Sequence, residues 1–568
     1  MSRTRVQILL DLVCIPLLLS PAVVPLLRPA PTCGWDNLLH LWRAVEVERF
    51  LSNGLLFSRW APDMARGYGY PLFNFIAPAS AYGPAVLHLM GIPWPLALNL
   101  TFALSWILSA IGMYVFTRDL FDRRAGLVAG AIYAFVPFHA YDVFYRGSLS
   151  QSTAWIFPPF ILWGLRRADK RRGFATAVTG LAGLILTHNA FALLFAPLVL
   201  AYVLMLGVKR GKRTLARGVL AFLTALSLTA FFWVPALAEL QFVHSERIAG
   251  DWVFVYTNNF LPPRQLLPIS RTAYSDLIND WPERGLGVVP ALLATLGLAA
   301  LIASRRWMQA SLWGITFASS LFLTSTISRP IWEAIPILQH VQFPWRLIGP
   351  AAFCAATLGA ALMNILGKSN DRLGSAVTLL LILVAVIPHL GWLYPRHCDP
   401  PTEISVSGMI RFEEKTGTIG TTALGEFLPI WVQQMPPGIE ISPHQENIPG
   451  CGRFDHSFSP EGTILRSECE FLGAVIMVDA PADLEARYKV FFYPGWHVWI
   501  DEQPTQVVPS DPEGWLSFEI PPGRHTVRIG FAETMLRRVV DSISIITIPL
   551  FLVMLVRWKN STSEEVTS

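Results

Sequence analysis

Long apolar stretches punctuated by short clusters of Lys and Arg run through almost the whole chain, and no other feature limits its fold more. A membrane-spanning helix needs roughly 20 predominantly apolar residues. Stretches of that kind begin near residues 6, 95, 124, 152, 173, 191, 217, 286, 308, 346, 373 and 540. Hydrophobic residues make up 53% of the chain and charged residues only 15%. Soluble globular proteins carry about 25% charged residues. With a mean hydropathy of +0.44, most of these residues belong in lipid. The net charge of +4 is too small to imply a nucleic-acid partner.

Orientation follows from where Lys and Arg fall in the short loops. Arg3 and Arg5 precede the first stretch. Further clusters are Arg118, Arg123 and Arg124; Arg166 through Arg172; Lys209 through Arg217; Arg305 and Arg306; Lys368 and Arg372; and Arg557 with Lys559. With about twelve spans, every cluster lands on one side, which the positive-inside rule makes cytoplasmic. Counting Pro78 to Ile92 as a further span would put every later cluster outside, so that short Pro- and Gly-containing stretch reads as re-entrant or interfacial. The first stretch is long for a signal peptide and lacks a clean small-x-small cleavage site, so it reads as a retained anchor. The expectation is a multi-pass cell-membrane protein with both termini cytoplasmic.

The segments left outside are roughly 29–94, 142–151, 238–285, 326–345 and 395–538. The last is long enough for a small domain of its own. It alternates, with Trp496, Val498 and Ile500 against His497 and Trp499, and Leu516, Phe518 and Ile520 against Ser517 and Glu519. Pro494-Gly495 and Pro522-Gly523 are turn signals. The expected fold is therefore an all-α polytopic membrane module over 1–394, a β-sandwich-like domain over 395–538, and a final helix and tail over 539–568. Cys14 and Cys354 lie in apolar runs and read as core residues. Cys398, Cys451 and Cys469 fall in the polar region, where a Cys451–Cys469 disulfide and free thiols are both open readings.

The first outside loop opens with Asp36; His40 and Arg43 follow on the same face if the segment is helical. Leu38, Leu39, Trp42, Val45 and Phe50 suggest an amphipathic helix on the membrane surface. Arg59, Asp63 and Arg66 follow among Trp60, Tyr68, Tyr70 and Phe73, aromatics that either anchor at the interface or stack on a sugar ring. At the end of a later span stand His139, Asp142 and Arg146. Ionisable residues at such a depth are costly and point to function. Asp36 and Asp142 across one cavity would hold a divalent cation (Mg or Mn), or one of them would deprotonate an acceptor hydroxyl. Arg146 would hold a phosphate; the plainer alternative is an Asp142–Arg146 pair capping the helix end. His188, Glu239 and Arg346 are further candidates at outer boundaries. His188 either serves the cavity or makes an interhelical hydrogen bond. Arg346 either binds phosphate or extends to the lipid headgroups. There is no GxxxxGK[ST], GxGxxG after a strand, HExxH or GxSxG.

These features together resemble the GT-C superfamily of membrane glycosyltransferases, which use polyprenyl-phosphate-linked sugars. GWDNLLHLWRA, GYGYPLFNF, RGSLSQ, THN, FWVPALAE, QFPWR and YPGWHVWID resemble, in this order, the YfhO-like bacterial membrane proteins, some of which are labelled 6-pyruvoyl-tetrahydropterin synthase-related. The resemblance implies Asp36 as base, Asp142 as second acid, and a phosphate held by Arg146 with Arg346 or Arg66. It also implies a lipid-linked donor and a glycan, lipid or protein acceptor. Gln151 departs from the pattern, since an acid is expected there and Gln cannot act as a base. A flippase for lipid-linked saccharides and a non-catalytic envelope-assembly protein are the other classes compatible with the sequence.

Overall fold

The computed structural model describes residues 3–269, 284–339, 341–366, 371–439, 453–455 and 462–558. Each of the twelve candidate stretches contains a helix. Five helices among the described residues are individually long and apolar enough to cross a membrane: Trp94–Leu120, Asn189–Arg210, Pro344–Leu366, Asp371–Trp392 and Met535–Arg557. Three further pairs qualify only together, bent by 50° after Leu18, 48° before Pro137 and 67° after Leu228. Of the about twelve expected spans, length and composition alone pick out at most 8 among the described residues. Proline is one reason, because it removes a backbone donor and breaks the ladder at Pro137 and at Pro158 and Pro159. Other stretches are simply short: Phe157–Arg166 has 10 residues, Val288–Ala303 has 16 and Arg171–Thr187 has 17. Within Pro78 to Ile92 the helix Ala79–Leu89 has 11 residues. At about 1.5 Å per residue it falls well short of a bilayer core of about 30 Å.

The helix Ile348–Ala360 forms the centre of this module, and all its residues are buried. Gly297 of the helix Val288–Ala303 lets that neighbour approach it closely: a Cβ there would meet the Leu358 carbonyl oxygen at 1.8 Å. Cys354 is buried there as expected, whereas Cys14 is exposed on the first helix. An apolar run facing lipid looks the same in sequence as one facing protein.

The helix Asn37–Ser52 does not lie free on a surface. His40, Trp42, Glu46 and Phe50 are all buried. The helix Ala79–Leu89 packs on it, and Phe412 and Phe471 from the C-terminal region approach Trp42 and Phe50 to 5.9 Å. Its apolar residues face protein on more than one side.

The C-terminal region begins at a disulfide between Cys33 and Cys398. Backbone hydrogen bonds from Cys33 to Arg396 and from Cys398 to Pro31 reinforce it. After the helix Val406–Thr416 come, among the described residues, nine strands: β1 Phe454–Asp455, β2 Thr463–Glu470, β3 Gly473–Ala480, β4 Leu484–Phe491, β5 Trp496–Ile500, β6 Gln503–Thr505, β7 Val508–Pro509, β8 Trp515–Ile520 and β9 Gly523–Phe531. They form two antiparallel sheets, ordered β1-β4-β8-β7 and β2-β3-β9-β5-β6. Ile476, Tyr488, Val498, Phe518 and Val527 place both sheets on one apolar core. The inward and outward sets on β5 and β8 follow the alternation of the sequence, except that Ser517 is also buried. Cys469 is disulfide-bonded; Cys451 lies outside the described residues, and so does the pairing of these two.

The aromatics of the first loop dock this region. Trp60 packs against Tyr493, Trp496 and Phe531 at 5.7–5.9 Å. Tyr68 stacks on Phe491 at 5.2 Å and on Trp515 at 5.7 Å. They are committed to protein contacts and not to a sugar.

Candidate functional site

A cavity of about 680 Å³ opens where the first loop, several helix ends and the C-terminal region meet. Asp36, His40, Arg43, Arg146, His188 and Arg346 all line it, so six candidates from four distant parts of the sequence converge. Its wall also carries Trp35, Tyr141, Trp252, Phe254, Phe343, Trp345 and Arg284.

Local backbone chemistry sets the position of Asp36. Tyr141–Arg146 is a π-helical turn, a form frequent at functional sites. It ends at Gly147, whose φ is +69°. A Cβ at Gly34 would come within 2.7 Å of the Gly147 Cα, so only glycine at both positions lets the two segments touch. The contact is locked by the Asp36 N–H donating to the Arg146 carbonyl at 2.8 Å.

The side chains then form a chain of contacts. Arg146 Nε lies 3.2 Å from Asp36 Oδ2. Its Nη1 donates to Gln151 Oε1 at 2.7 Å, and Gln151 Nε2 donates to Asp142 Oδ2 at 2.7 Å. Trp155 Nε1 donates to the same Asp142 oxygen at 3.0 Å. Direct approach of Arg146 to Asp142 is looser, at 3.8 Å. Asp142 therefore sits behind the cavity wall, 0% exposed, and holds Arg146 through the Gln151 amide. The i,i+4 pair is present but is only part of this network.

This arrangement does not fit a cation shared by Asp36 and Asp142, because the guanidinium of Arg146 contacts both carboxylates and takes the place between them. No group of three or more His, Cys, Asp or Glu able to hold a metal ion occurs among the described residues.

Arg346 differs from the other cavity cations. It is 8% exposed, donates from Nη1 only to the Val341 carbonyl at 3.1 Å, and has an Nε with no partner. Neither Asp36 nor Asp142 reaches it at ion-pair distance. It rests against Phe343 at 4.6 Å and Trp345 at 5.9 Å and stays inside the wall of the cavity. Arg284 lies 5.3 Å from the Trp345 ring and 5.7 Å from Tyr141, so the same wall carries cations over aromatic faces. His40 titrates well below its ordinary range, first because it is buried and then because Arg43, Arg146 and His188 surround it. It is a neutral imidazole at neutral pH.

Three candidates lie elsewhere. Arg66 donates its Nη1 to the Pro436 carbonyl at 2.9 Å and its N–H to Glu413, tying the first loop to the C-terminal region. Glu239 accepts both arms of Arg537 at 2.8 and 2.7 Å, with Tyr493 and Asn74 at 2.9 Å. It clamps the last helix to the bundle and does not line the cavity. His139 is stacked between Trp106 at 5.0 Å and Trp155 at 4.4 Å, below the cavity. His188 does line the cavity, and its Nδ1 also caps its own helix by accepting from the Phe191 N–H at 3.1 Å. That bond is local and not interhelical.

The sequence reading missed a turn from the C-terminal region. Thr421, Thr422, Glu426 and Phe427 close one side of the cavity. Arg43 donates to the Thr421 hydroxyl at 2.9 Å and carbonyl at 2.8 Å. No motif marks this turn; the one signal is Gly417 and Gly420 in a Thr-rich stretch.

Comparison with known proteins places the chain in a family. Residues 73–394 match the model of the 6-pyruvoyl-tetrahydropterin synthase related domain, a membrane protein family. The chain belongs to that family. An uncharacterized protein of Lactococcus lactis subsp. cremoris is 27% identical over 233 residues, covering 39% of this chain and 38% of the relative. The chain thus spans well under half of that relative's length. Among solved structures, the mycobacterial arabinofuranosyltransferase AftD aligns over 70% of this chain and 27% of its own, with 16% identity and a TM-score of 0.43. The oligosaccharyltransferase of Archaeoglobus fulgidus aligns over 77% and 61%, with 14% identity and a TM-score of 0.45. ArnT from Cupriavidus metallidurans bound to undecaprenyl phosphate aligns over 75% and 77%, with 16% identity and a TM-score of 0.39.

Proposed function

We propose that this chain is a membrane glycosyltransferase of the GT-C type, of the hexosyltransferase kind. It transfers a sugar from a polyprenyl-phosphate-linked donor to an acceptor on the outer face of the cell membrane. The observation that carries the reading is Arg346, a buried guanidinium with no carboxylate at ion-pair distance among the described residues, in a cavity that also presents Asp36. An unpaired buried cation is costly unless an anion arrives. A lipid phosphate supplies that anion, and the aromatic wall suits a sugar ring.

In the reaction the acceptor hydroxyl gives its proton to Asp36. Its oxygen forms the new bond to the anomeric carbon. The bond from that carbon to the phosphate oxygen breaks, and the electron pair leaves on polyprenyl phosphate. Arg346 and Arg146 stabilise the charge developing on that oxygen. Asp142 and Gln151 hold Arg146 in place, and Asp142 is not itself a base. The disulfide Cys33–Cys398 fits an oxidising compartment on the cavity side. Below the cavity Asp142 and Gln151 are fully buried and His139 is wedged between tryptophans, a floor that favours group transfer over passage of a saccharide.

The test is Asp36→Asn in protein reconstituted in nanodiscs and given polyprenyl-phosphate hexoses with a membrane lipid and glycan extract. Loss of a positioned general base lowers turnover by about 10²–10⁴-fold. Unchanged turnover would remove Asp36 from the mechanism.

A further inference from the structure

Among the described residues two carboxylates line the cavity, and the second is not the one the sequence singles out. It is Glu426, from the turn contributed by the C-terminal region. Glu426 is half-buried, and among the described residues no cation reaches it at ion-pair distance. Its Oε2 accepts only the Leu424 N–H, at 3.3 Å. The turn around it is held firmly. Glu413 accepts the Gly420 N–H at 3.0 Å, Tyr70 contacts the Thr422 hydroxyl at 2.9 Å, and the Phe427 N–H donates to Tyr70 at 2.9 Å. Phe427 also stacks on Phe75 with centroids 4.8 Å apart. Arg43 lies within the field of both Asp36 and Glu426. A carboxylate without an ion partner, fixed in a rigid turn at a cavity wall, is built to accept hydrogen bonds from something that enters.

We propose that Glu426 is an acceptor-binding residue and that the acceptor is a saccharide; this rests on the glycosyltransferase reading. The two walls of the cavity are chemically distinct. Arg146, Arg346 and Trp345 offer cations and an aromatic face to a lipid phosphate and its sugar. Glu426 and Phe427 offer a carboxylate and an aromatic ring. Asp36 takes the proton of the reacting hydroxyl, and Glu426 accepts a hydrogen bond from a second hydroxyl of the same molecule. A polyol satisfies both at once, through two of its own hydroxyls; a monohydroxy lipid or a lone seryl side chain satisfies one.

The experiment is saturation-transfer NMR on the full chain in nanodiscs loaded with polyprenyl phosphate, titrated with a panel of methyl glycosides and with octanol as the single-hydroxyl control. Wild type is expected to bind at least one glycoside and to show no specific octanol signal. Glu426→Gln weakens that glycoside at least tenfold, Glu426→Asp recovers part of the loss, and both variants keep polyprenyl phosphate affinity within twofold. Wild type that binds no glycoside, or Glu426→Gln that binds as wild type does, overturns the proposal. Failure of polyprenyl phosphate itself to bind wild type overturns the donor reading instead, and the glycoside titration then stands as a separate result.

Discussion

Two buried arginines, Arg537 and Arg346, show how the same side chain serves different ends. Arg537 is 0% exposed and has both arms on Glu239, with the rings of Tyr493 and Phe531 at 5.4 Å. Its charge is met within the protein. Arg346 is almost as deeply buried, but among the described residues it donates to a single backbone carbonyl and rests on the rings of Phe343 and Trp345, beside a cavity. Where the chain itself satisfies a charge, the contact is structural. Where it does not, and space is left beside it, the contact is open to a ligand, as the proposed phosphate site requires.

Breaking the satisfied pair gives the largest effect. Glu239→Ala leaves Arg537 in the interior with only the looser Glu533 carboxylate at 3.8 Å and is expected to cost about 3–5 kcal/mol of stability, read as a fall in thermal midpoint. A change below about 1 kcal/mol would show that the pair is not what fixes the last helix. Gln151→Leu comes next. It leaves Asp142 and Arg146 without the bridging amide, at about 1–3 kcal/mol, and loosens Arg146 from its position at Asp36. Lipid phosphate affinity is expected to fall with it; unchanged affinity would mean that Arg146 is held by Asp36 alone.

A smaller effect sharpens the contrast by pH. Glu413 accepts backbone N–H groups from Ala65, Arg66 and Gly420, and burial raises its pKa to about 7. The ordinary value is about 4.3. A carboxyl raised in this way contributes stability that is fully present below the ordinary value and lost as pH rises through about 7. The thermal midpoint of the wild type is expected to fall by a few °C between about pH 5 and pH 8. Glu413→Gln, which does not ionise, removes that slope; an equal slope in both proteins would assign the titration to another group. The smallest effect is expected for Arg66→Ala. This arginine is tied to the Pro436 carbonyl and lies outside the cavity, so lipid phosphate affinity stays within twofold. A larger loss would place Arg66 at the phosphate after all.

The sequence carries the membrane module and the alternating strands because period and charge are local signals. Asp36, Arg146 and Arg346 are legible for a related reason: ionisable residues beside apolar stretches stand out. Arg66, Glu239 and His139 stand out equally well, yet their partners Pro436, Arg537 and Trp106 decide their roles and are remote in sequence or hidden in a bundle. The disulfide joins residues 365 apart, and no spacing rule reaches that far. Gln151 reads as a departure because an amide cannot act as a base. Its use is to accept from Arg146 and donate to Asp142 at once, which an ionised acid cannot do. Glu426 carries no signal because its meaning comes only from the wall it completes.

The central claim is that the cavity beside Arg346 holds a lipid phosphate. The most direct measurement is the affinity of polyprenyl phosphate for wild type and Arg346→Ala in nanodiscs. Loss of a charged hydrogen-bond donor is worth about 1.5–3 kcal/mol, so the variant is predicted to bind roughly ten- to a hundredfold more weakly while its thermal midpoint holds or rises. Equal affinity in the two proteins would contradict the account.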